Sequence, residues 1–557
     1  MAVGTNRLDL CNMSVEDTKL LNRLYENYKY EYVNMLDRMS KRRNVIYWWV
    51  TPLASKYWLL SDSLKNICIA LLGIKRIRAN HQISEVYCPS KEIAQVIQDY
   101  FINKHRKIKI TVKKNKNIAV IEYFLNNVYR TIQQYRTIHK VIKKNGINVE
   151  IRNEDITLID TYIKASDIKG MYYEEQYFKN ILEFTDRKIY FMPQLLLNTR
   201  ISLDMLIKKL LNKCKYQYVF KEQFLLIQDF YKLLPYPLFC ILFCIPKKYI
   251  DKIDVTPIIN RDLINGIASD NAIEGMLKYW AVKRMKKNGL NIRRLIGWYE
   301  GQPSSIGLFK GYRKMYPNGK SIGYIGYSIN TKNINIANTR MQTFYKAAPQ
   351  ELTVMAECFK MIPKQFVPDT KVIMVPALRL KQPRQIISNK TALDKNIMIA
   401  LAYGQDASAS ILRWIKVLEQ YFIHHAITVL IKNHPCNAGM TLKQYGIPDL
   451  KCDYKFVNGE FSDVVDKSLL VVTTQSTSGY ETALYGKPTI FLNFSGELNF
   501  DYMPKEWLGI RYDVIYSTEE LERAIDKFID YDMETIDFEN EKYYVRATSE
   551  TIERLFQ

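Results

Sequence analysis

Between Asn396 and Phe494 the chain alternates short aliphatic runs that end in polar turns with helical stretches. NIMIALAY opens into GQDASAS and the amphipathic ILRWIKVLEQYF, AITVLIK runs into NHP, and SLLVVTT runs into QSTSGYETALYGKP before TIFLNF. Strands separated by helices cannot pair as hairpins. They return through right-handed crossovers and build a parallel sheet. The pattern predicts a doubly wound α/β domain over roughly Lys364 to Tyr516, with KVIMVPALRL as a strand and its loop. Ligands of such sheets bind beyond the carboxyl ends of the strands. Three polar clusters fall at such ends: Tyr403 to Ser410, Lys432 to Pro435, and Thr473 to Ser478.

The first half alternates less regularly. NVIYWWV (Asn44 to Val50) reads as a buried strand, EVYCPS and KIKITV as short strands, and KEIAQVIQDYF as a helix between them. A long helix is expected over roughly Ile118 to Lys144, stopped by Asn145-Gly146. ITLIDTYI, KIYFMP, RLIGWYE and SIGYIGYSI follow as strands, with residues near 200 to 290 mostly helical. A chain of 557 residues is too long for one core. The apolar run Leu233 to Pro246 is too short to span a bilayer and carries prolines. It reads as a buried helix, with Lys247 and Lys248 keeping a membrane-surface reading open.

The cluster around VVTTQSTSGYETALYGKP carries the clearest chemistry. A strand ends at Thr473, and a short helix over about Thr477 to Tyr485 offers free N–H groups ringed by the hydroxyls of Ser476, Thr477 and Ser478. That arrangement suits a phosphate. Gly486 fits the left-handed position after the helix. Glu481 is open to two readings: partner of Ser478 in an S-x-x-E capping box, or a carboxylate for ribose hydroxyls. In VLIKNHP, His434 follows a buried strand and precedes Pro435, which fixes the turn. Its imidazole can donate to a phosphate oxygen, more strongly when protonated, and Lys432 adds charge. Gly404 and Gln405 open a turn that either approaches a nucleotide or simply starts a helix, and Arg379 is a candidate counter-charge. Glu300, just past a strand in GWYEGQ, is a candidate base for an acceptor hydroxyl. No G-x-x-x-x-G-K-[ST] loop, HExxH or G-x-S-x-G is present, which removes Walker-type, zincin and serine-hydrolase readings.

IKNHP followed by TTQSTSGYETALYGKPTIFL resembles the His-Pro and Ser/Thr motifs of GT-B glycosyltransferases, most of all bacterial surface-carbohydrate enzymes that use CMP-activated nonulosonic or Kdo-type sugars. IYWWVTPLASKYWLLSDSLKN and WYEGQPSSIGLFKGYRKMYPNGKSIGYIGYS are similar to segments of a surface-carbohydrate biosynthesis group. The resemblance implies a GT-B-like fold: two Rossmann-like doubly wound domains facing a central cleft. It also implies that His434 and Ser476 to Ser478 contact the donor phosphate. Gly326 stands where such enzymes often carry a histidine, so that role is unfilled.

The resulting expectation is an acceptor domain over 1–355, a donor domain over 356–516, and helices over 517–557 packing back on the first domain. The partners expected are a nucleotide-sugar donor and a carbohydrate or lipid-linked glycan acceptor, for O-antigen, capsule or lipopolysaccharide biosynthesis. No cofactor, no metal and no nucleic acid are expected. A net charge of +23 suits anionic partners, although a Lys- and Asn-rich composition accounts for part of it. With no signal-like apolar N-terminus and nine scattered cysteines, a cytoplasmic enzyme is expected, at most peripheral on an acidic inner-membrane face. The alternatives are a CDP-glycerol or UDP-sugar transferase or epimerase on the same fold, and a non-enzymatic nucleic-acid-binding protein.

Overall fold

The computed structural model describes residues 6–113, 119–144, 154–164, 168–169, 172–196, 203–211, 216–381, 395–530 and 540–557. The expected stop at Asn145-Gly146 lies outside these residues. Among the described residues three parallel sheets form the framework. A small one joins β1 (Arg7–Asp9), β2 (Glu85–Cys88) and β3 (Lys109–Val112). The helices Val15–Ser40, Ser63–Ala79 and Lys91–Ile102 share its core.

The largest sheet holds β4 (Asp155–Lys164), β5 (Ile189–Leu196), β6 (Gln217–Tyr218), β7 (Asn291–Trp298), β8 (Lys320–Tyr324), β9 (Glu351–Val354) and β10 (Lys371–Met374). Its order is β10-β9-β8-β7-β4-β5-β6, so the winding reverses between β4 and β7. One face is covered by the helices Asp270–Lys287 and Pro303–Met315, which cross where Gly275 meets Gly307. A Cβ on Gly307 would stand 2.0 Å from the Gly275 carbonyl oxygen, so these backbones touch only because both residues lack one.

The third sheet holds β11 (Asn396–Ala400), β12 (Thr428–Lys432), β13 (Tyr454–Phe456), β14 (Leu470–Thr473), β15 (Thr489–Leu492) and β16 (Tyr512–Ile515), ordered β13-β12-β11-β14-β15-β16. Its winding reverses between β11 and β14. Ile397, Ile399, Val429, Ile431, Val472 and Ile490 are fully buried, as strands covered on both faces require.

The structure corrects four expectations. Residues 44–50 form a helical turn, Ile46–Trp49, not a strand. A short all-apolar run is buried in either form, so its period does not discriminate. Here the Trp48 indole N–H donates to Ser40 Oγ at 2.9 Å and its ring meets Phe243 edge-on, which fixes the turn. The acceptor domain expected over 1–355 is not built on one sheet: residues 7–112 carry their own three-stranded sheet. β10 pairs in register with β9, Glu351 opposite Lys371, so the first large domain runs past 355 to at least Met374. An apolar strand does not declare which sheet it joins; its hydrogen-bond partner does. Finally, the helix Thr518–Ile529 buries Leu521, Ile525 and Phe528 in the third sheet's core. Only beyond it does the chain cross back. There Val545 N–H donates to the Met355 carbonyl at 3.0 Å, and Ile552, Leu555 and Phe556 enter the first domain's core. No described helix is long and apolar enough to cross a membrane.

Candidate functional site

The carboxyl ends of β12, β11 and β14 lie side by side. Leu401 N–H donates to the Lys432 carbonyl at 3.0 Å, and Thr473 Oγ1 donates to the Ala400 carbonyl at 3.0 Å. At neighbouring-strand spacing of about 4.8 Å, the ends of β12 and β14 stand roughly 10 Å apart across one rim. The predicted meeting of the His-Pro turn with the Ser/Thr turn is therefore possible on one edge, not opposite faces.

The His-Pro turn is built by its neighbours. Asn433 donates to the Met440 carbonyl at 2.8 Å and accepts from the Tyr445 hydroxyl at 2.8 Å. Pro435 starts a 3-10 turn, and Asn437 Nδ2 donates to the Tyr403 carbonyl at 3.0 Å. The His434 ring stands perpendicular to Tyr403 at 5.4 Å. Its Nδ1 accepts the Cys436 N–H at 3.2 Å, so in the neutral ring the proton sits on Nε2. Burial pushes the His434 pKa down to about 4, and the charges of Lys164 and Arg379 push the same way. The unliganded imidazole is thus neutral at neutral pH, a donor through Nε2–H rather than the cation considered from sequence.

The Ser/Thr turn begins with Gln475 at φ +30°, its side chain donating to the Leu498 carbonyl at 3.0 Å. Ser476 Oγ and Ser478 Oγ are 2.7 Å apart, and Ser478 N–H donates to Ser476 Oγ. Thr477 caps the helix Ser478–Leu484 without a side-chain bond, and no capping box forms with Glu481. Gly486 takes the left-handed conformation, φ +66°. Glu481, half-buried, accepts no hydrogen bond among the described residues. Burial raises its carboxyl to about 7, with the charge of Arg379 pulling the other way.

Arg379 follows β10 and so comes from the first domain. Its guanidinium lies over the Trp298 ring at 5.7 Å, and its charge bears on both His434 and Glu481 of the other domain. The carboxyl ends of the two large sheets therefore face each other across a cleft with Arg379 in it. Trp298 in turn donates its indole N–H to Glu300 Oε1 at 2.8 Å. Glu300 Oε2 accepts from the Tyr57 hydroxyl at 2.9 Å and from Gln302 Nε2 at 2.7 Å. Glu300 sits just beyond β7, beside the winding reversal, where such sheets place ligands.

Lys164, the last residue of β4, was not singled out from sequence. Its charge bears on His434, and its ammonium lies 5.7 Å from the Tyr177 ring centre. The available signal was its place at the end of ITLIDTYIK, on the strand neighbouring Glu300's. Lys432 is not brought to the same spot: its ammonium donates to the Gly459 carbonyl at 2.7 Å, and Glu460 and Asp463 are the acidic groups near it. Gln405 reaches Met440 Sδ at 3.7 Å. Gly404 caps the helix Gln405–Val417 with φ −77° and room for a Cβ, so backbone geometry does not demand glycine there.

Beside the cleft lies a cavity of about 270 Å³ whose lining includes Lys56, Trp58, Asp62, Gln475, Glu497 and Phe500. Trp58 and Phe500 stack at 5.1 Å. Lys56 is buried in a left-handed conformation, φ 59°, its ammonium on Gln342 Oε1 at 2.8 Å. Burial brings its pKa down to about 7 against the pull of Asp37. The next residue, Tyr57, is the one on Glu300. Among the described residues no group of three or more His, Cys, Asp or Glu side chains is placed to hold a metal ion.

No protein-family model and no curated protein matches the chain. Solved structures do. UDP-GlcNAc 2-epimerase from Neisseria meningitidis bound to UDP-GlcNAc shares 12% identity over 72% of this chain and 99% of its own, with a TM-score of 0.40. TarM shares 10% over 73% and 96%, TM-score 0.39, and MurG from Acinetobacter baumannii 10% over 72% and 94%, TM-score 0.34. Likeness at this level is likeness of chain path, and the chemistry of those proteins is not carried across by it. The strand orders and the facing carboxyl ends themselves define a GT-B-like α/β protein, two Rossmann-like domains about a cleft.

Proposed function

We propose that the protein is a glycosyltransferase that takes a sugar from a nucleotide donor bound on the third sheet and passes it to a carbohydrate acceptor held against the first domain. The observation that carries this reading is Arg379: a first-domain cation whose charge bears on both His434 and Glu481 at the opposing strand ends. A nucleotide phosphate between them would meet Arg379, Lys164, the His434 Nε2–H and the hydroxyls of Ser476 to Ser478. Glu481, uncommitted to a cap, would accept from ribose hydroxyls.

In the reaction Glu300 takes the proton of the acceptor hydroxyl as its oxygen bonds to the anomeric carbon. The anomeric carbon–oxygen bond to phosphate breaks, and the leaving phosphate keeps the electron pair. Fixed donors aimed at that developing charge need no reorganisation, and losing one typically costs about 2.7–4 kcal/mol of barrier. Tyr57, Trp298 and Gln302 hold the Glu300 carboxylate in place. The cavity beside Tyr57, with aromatic rings and alternating ammonium and carboxylate groups, suits the hydroxyl-rich acceptor, either free carbohydrate or a lipid-linked glycan.

The donor we favour is a CMP-activated nonulosonic or Kdo-type acid, because two cations beyond the hydroxyl turn match a donor with both a phosphate and a sugar carboxylate. The setting is the cytoplasm. Thermal unfolding with CMP, CDP and UDP separates the donors: a ligand at a hundred times its Kd stabilises by about 2.7 kcal/mol. CMP is expected to raise Tm most. A larger shift with CDP or UDP would reassign the donor, and no shift with any of the three would remove the transferase reading. Steeply salt-dependent oligonucleotide binding in its place would revive a nucleic-acid role for the +23 charge.

A further inference from the structure

From Leu226 to Tyr249 the chain forms two short helices, Ile227–Tyr231 and Tyr236–Cys244, on the outer side of the first domain. The second contains no charged residue. It buries Tyr236, Cys240 and Phe243 and turns the rest outward. Leu238 is 59% exposed, Ile241 50%, Leu242 45% and Ile245 73%. Leu226, Ile227, Tyr231 and Leu234 extend the same surface at 44–68%. Scattered exposed leucines need no explanation, but eight large apolar side chains within twenty residues do.

Basic groups predominate around this surface, with Asp254 3.9 Å from the Lys247 ammonium. The segment's single acid, Asp229, is buried and held by Lys232 and Arg284 at 2.5 and 3.0 Å. Lys247 is exposed at one end, and Lys41 and Arg42 are exposed just before the helical turn that touches Tyr236–Cys244. Arg43 lies 4.9 Å from the Phe243 ring centre, and its buried Nη1 has no hydrogen-bond partner among the described residues.

We infer that Leu226–Tyr249 is a membrane-docking face, its apolar ridge entering the headgroup region of a bilayer while Lys247, Lys41 and Arg42 meet anionic headgroups. This is interfacial attachment, in which buried apolar area and attraction to anionic lipid add. It stands apart from the transferase reading, since no residue of the cleft takes part.

Co-sedimentation of the full-length protein with vesicles tests it, using phosphatidylcholine alone and phosphatidylcholine mixed with phosphatidylglycerol. Binding to the mixed vesicles is expected, weakened by salt and by omission of the anionic lipid. The double variant Leu238→Glu, Ile241→Glu is expected to lose at least about ten-fold in partitioning, since each change removes an apolar side chain and adds a like charge to the lipid. Its Tm and its nucleotide-induced Tm shift should match the parent. Equal vesicle binding by parent and variant would overturn the inference. So would a dimer seen by light scattering that the variant abolishes while neither protein binds vesicles, because the face would then join two copies of the chain.

Discussion

His434 is a neutral donor surrounded by cations, and that has measurable consequences. His434→Ala should lower turnover about 10²–10³-fold while leaving far-ultraviolet dichroism unchanged, the loss expected for one donor to a developing oxyanion. An unaltered rate would remove the imidazole from the site. Its pKa of about 4 lies below the ordinary value of 6.5, so the folded state binds a proton less readily than the unfolded chain. The stability this group contributes is present above pH 6.5 and is lost as pH falls toward 4. Glu481 has the opposite sign. Its carboxyl is raised to about 7, so its contribution is complete below pH 4.5 and is lost as pH rises through 7. Glu481→Gln should therefore gain on the parent as pH rises, by about 1–3 kcal/mol at pH 8 against little at pH 5. Thermal unfolding at both pH values checks it, and a difference that does not change with pH would contradict the burial of this group. Glu300→Gln should abolish transfer yet keep the nucleotide-induced Tm shift, since the proposed base acts on the acceptor hydroxyl and not on the donor.

At the level of elements, Gly479 shows how tightly the Ser/Thr turn is set. A Cβ there would stand 2.2 Å from Phe491 Cζ, in the middle of β15's buried face. Gly479→Ala should cost about 1–3 kcal/mol by overpacking and displace the hydroxyl turn, read as a lower Tm together with a weaker nucleotide shift. The four central strands of the third sheet and their polar ends were readable from residue pattern, because aliphatic runs bounded by turn residues leave few alternatives, whereas its short edge strands β13 and β16 were not singled out. What the pattern did not carry was partnership. KVIMVPALRL was recognisable as a strand and loop, yet only its pairing with Glu351–Val354 puts Arg379 on the first domain. IYWWV was recognisable as buried, yet an unbroken apolar run has no period to separate strand from turn. Lys164 ends a strand whose neighbour on the Glu300 side, β7, is reached only after more than a hundred intervening residues, so its place beside His434 is a property of the assembled cleft. Lys432, two residues before His434, donates instead to Gly459, because the strand ends at Lys432 and the chain turns at His434-Pro435.

Across the whole molecule the two large domains are tied twice. The helix Val15–Ser40 bonds the domain of the third sheet through Asn22, which donates to the Glu497 carbonyl at 3.0 Å, and the first domain through Lys29, which donates to the Thr331 carbonyl at 3.0 Å. The returning C-terminus inserts Ile552, Leu555 and Phe556 into the first domain's core. Leu555→Ala should cost about 2–5 kcal/mol even though it lies in the last three residues, measured by denaturant unfolding. A near-neutral effect would mean that the return crossing does not hold the domains. These ties hold together the two domains from which, in the proposed site, Arg379 and His434 share one anion. That sharing is the central claim, and a double-mutant cycle by titration calorimetry tests it most directly, with the stabilising nucleotide titrated into the parent, Arg379→Ala, His434→Ala and the double variant. The account predicts that each single change weakens binding and that the two losses are non-additive by about 0.5–3 kcal/mol, as for groups on one ligand atom cluster. Strictly additive losses, or full affinity without Arg379, would show that the two side chains do not meet around one phosphate.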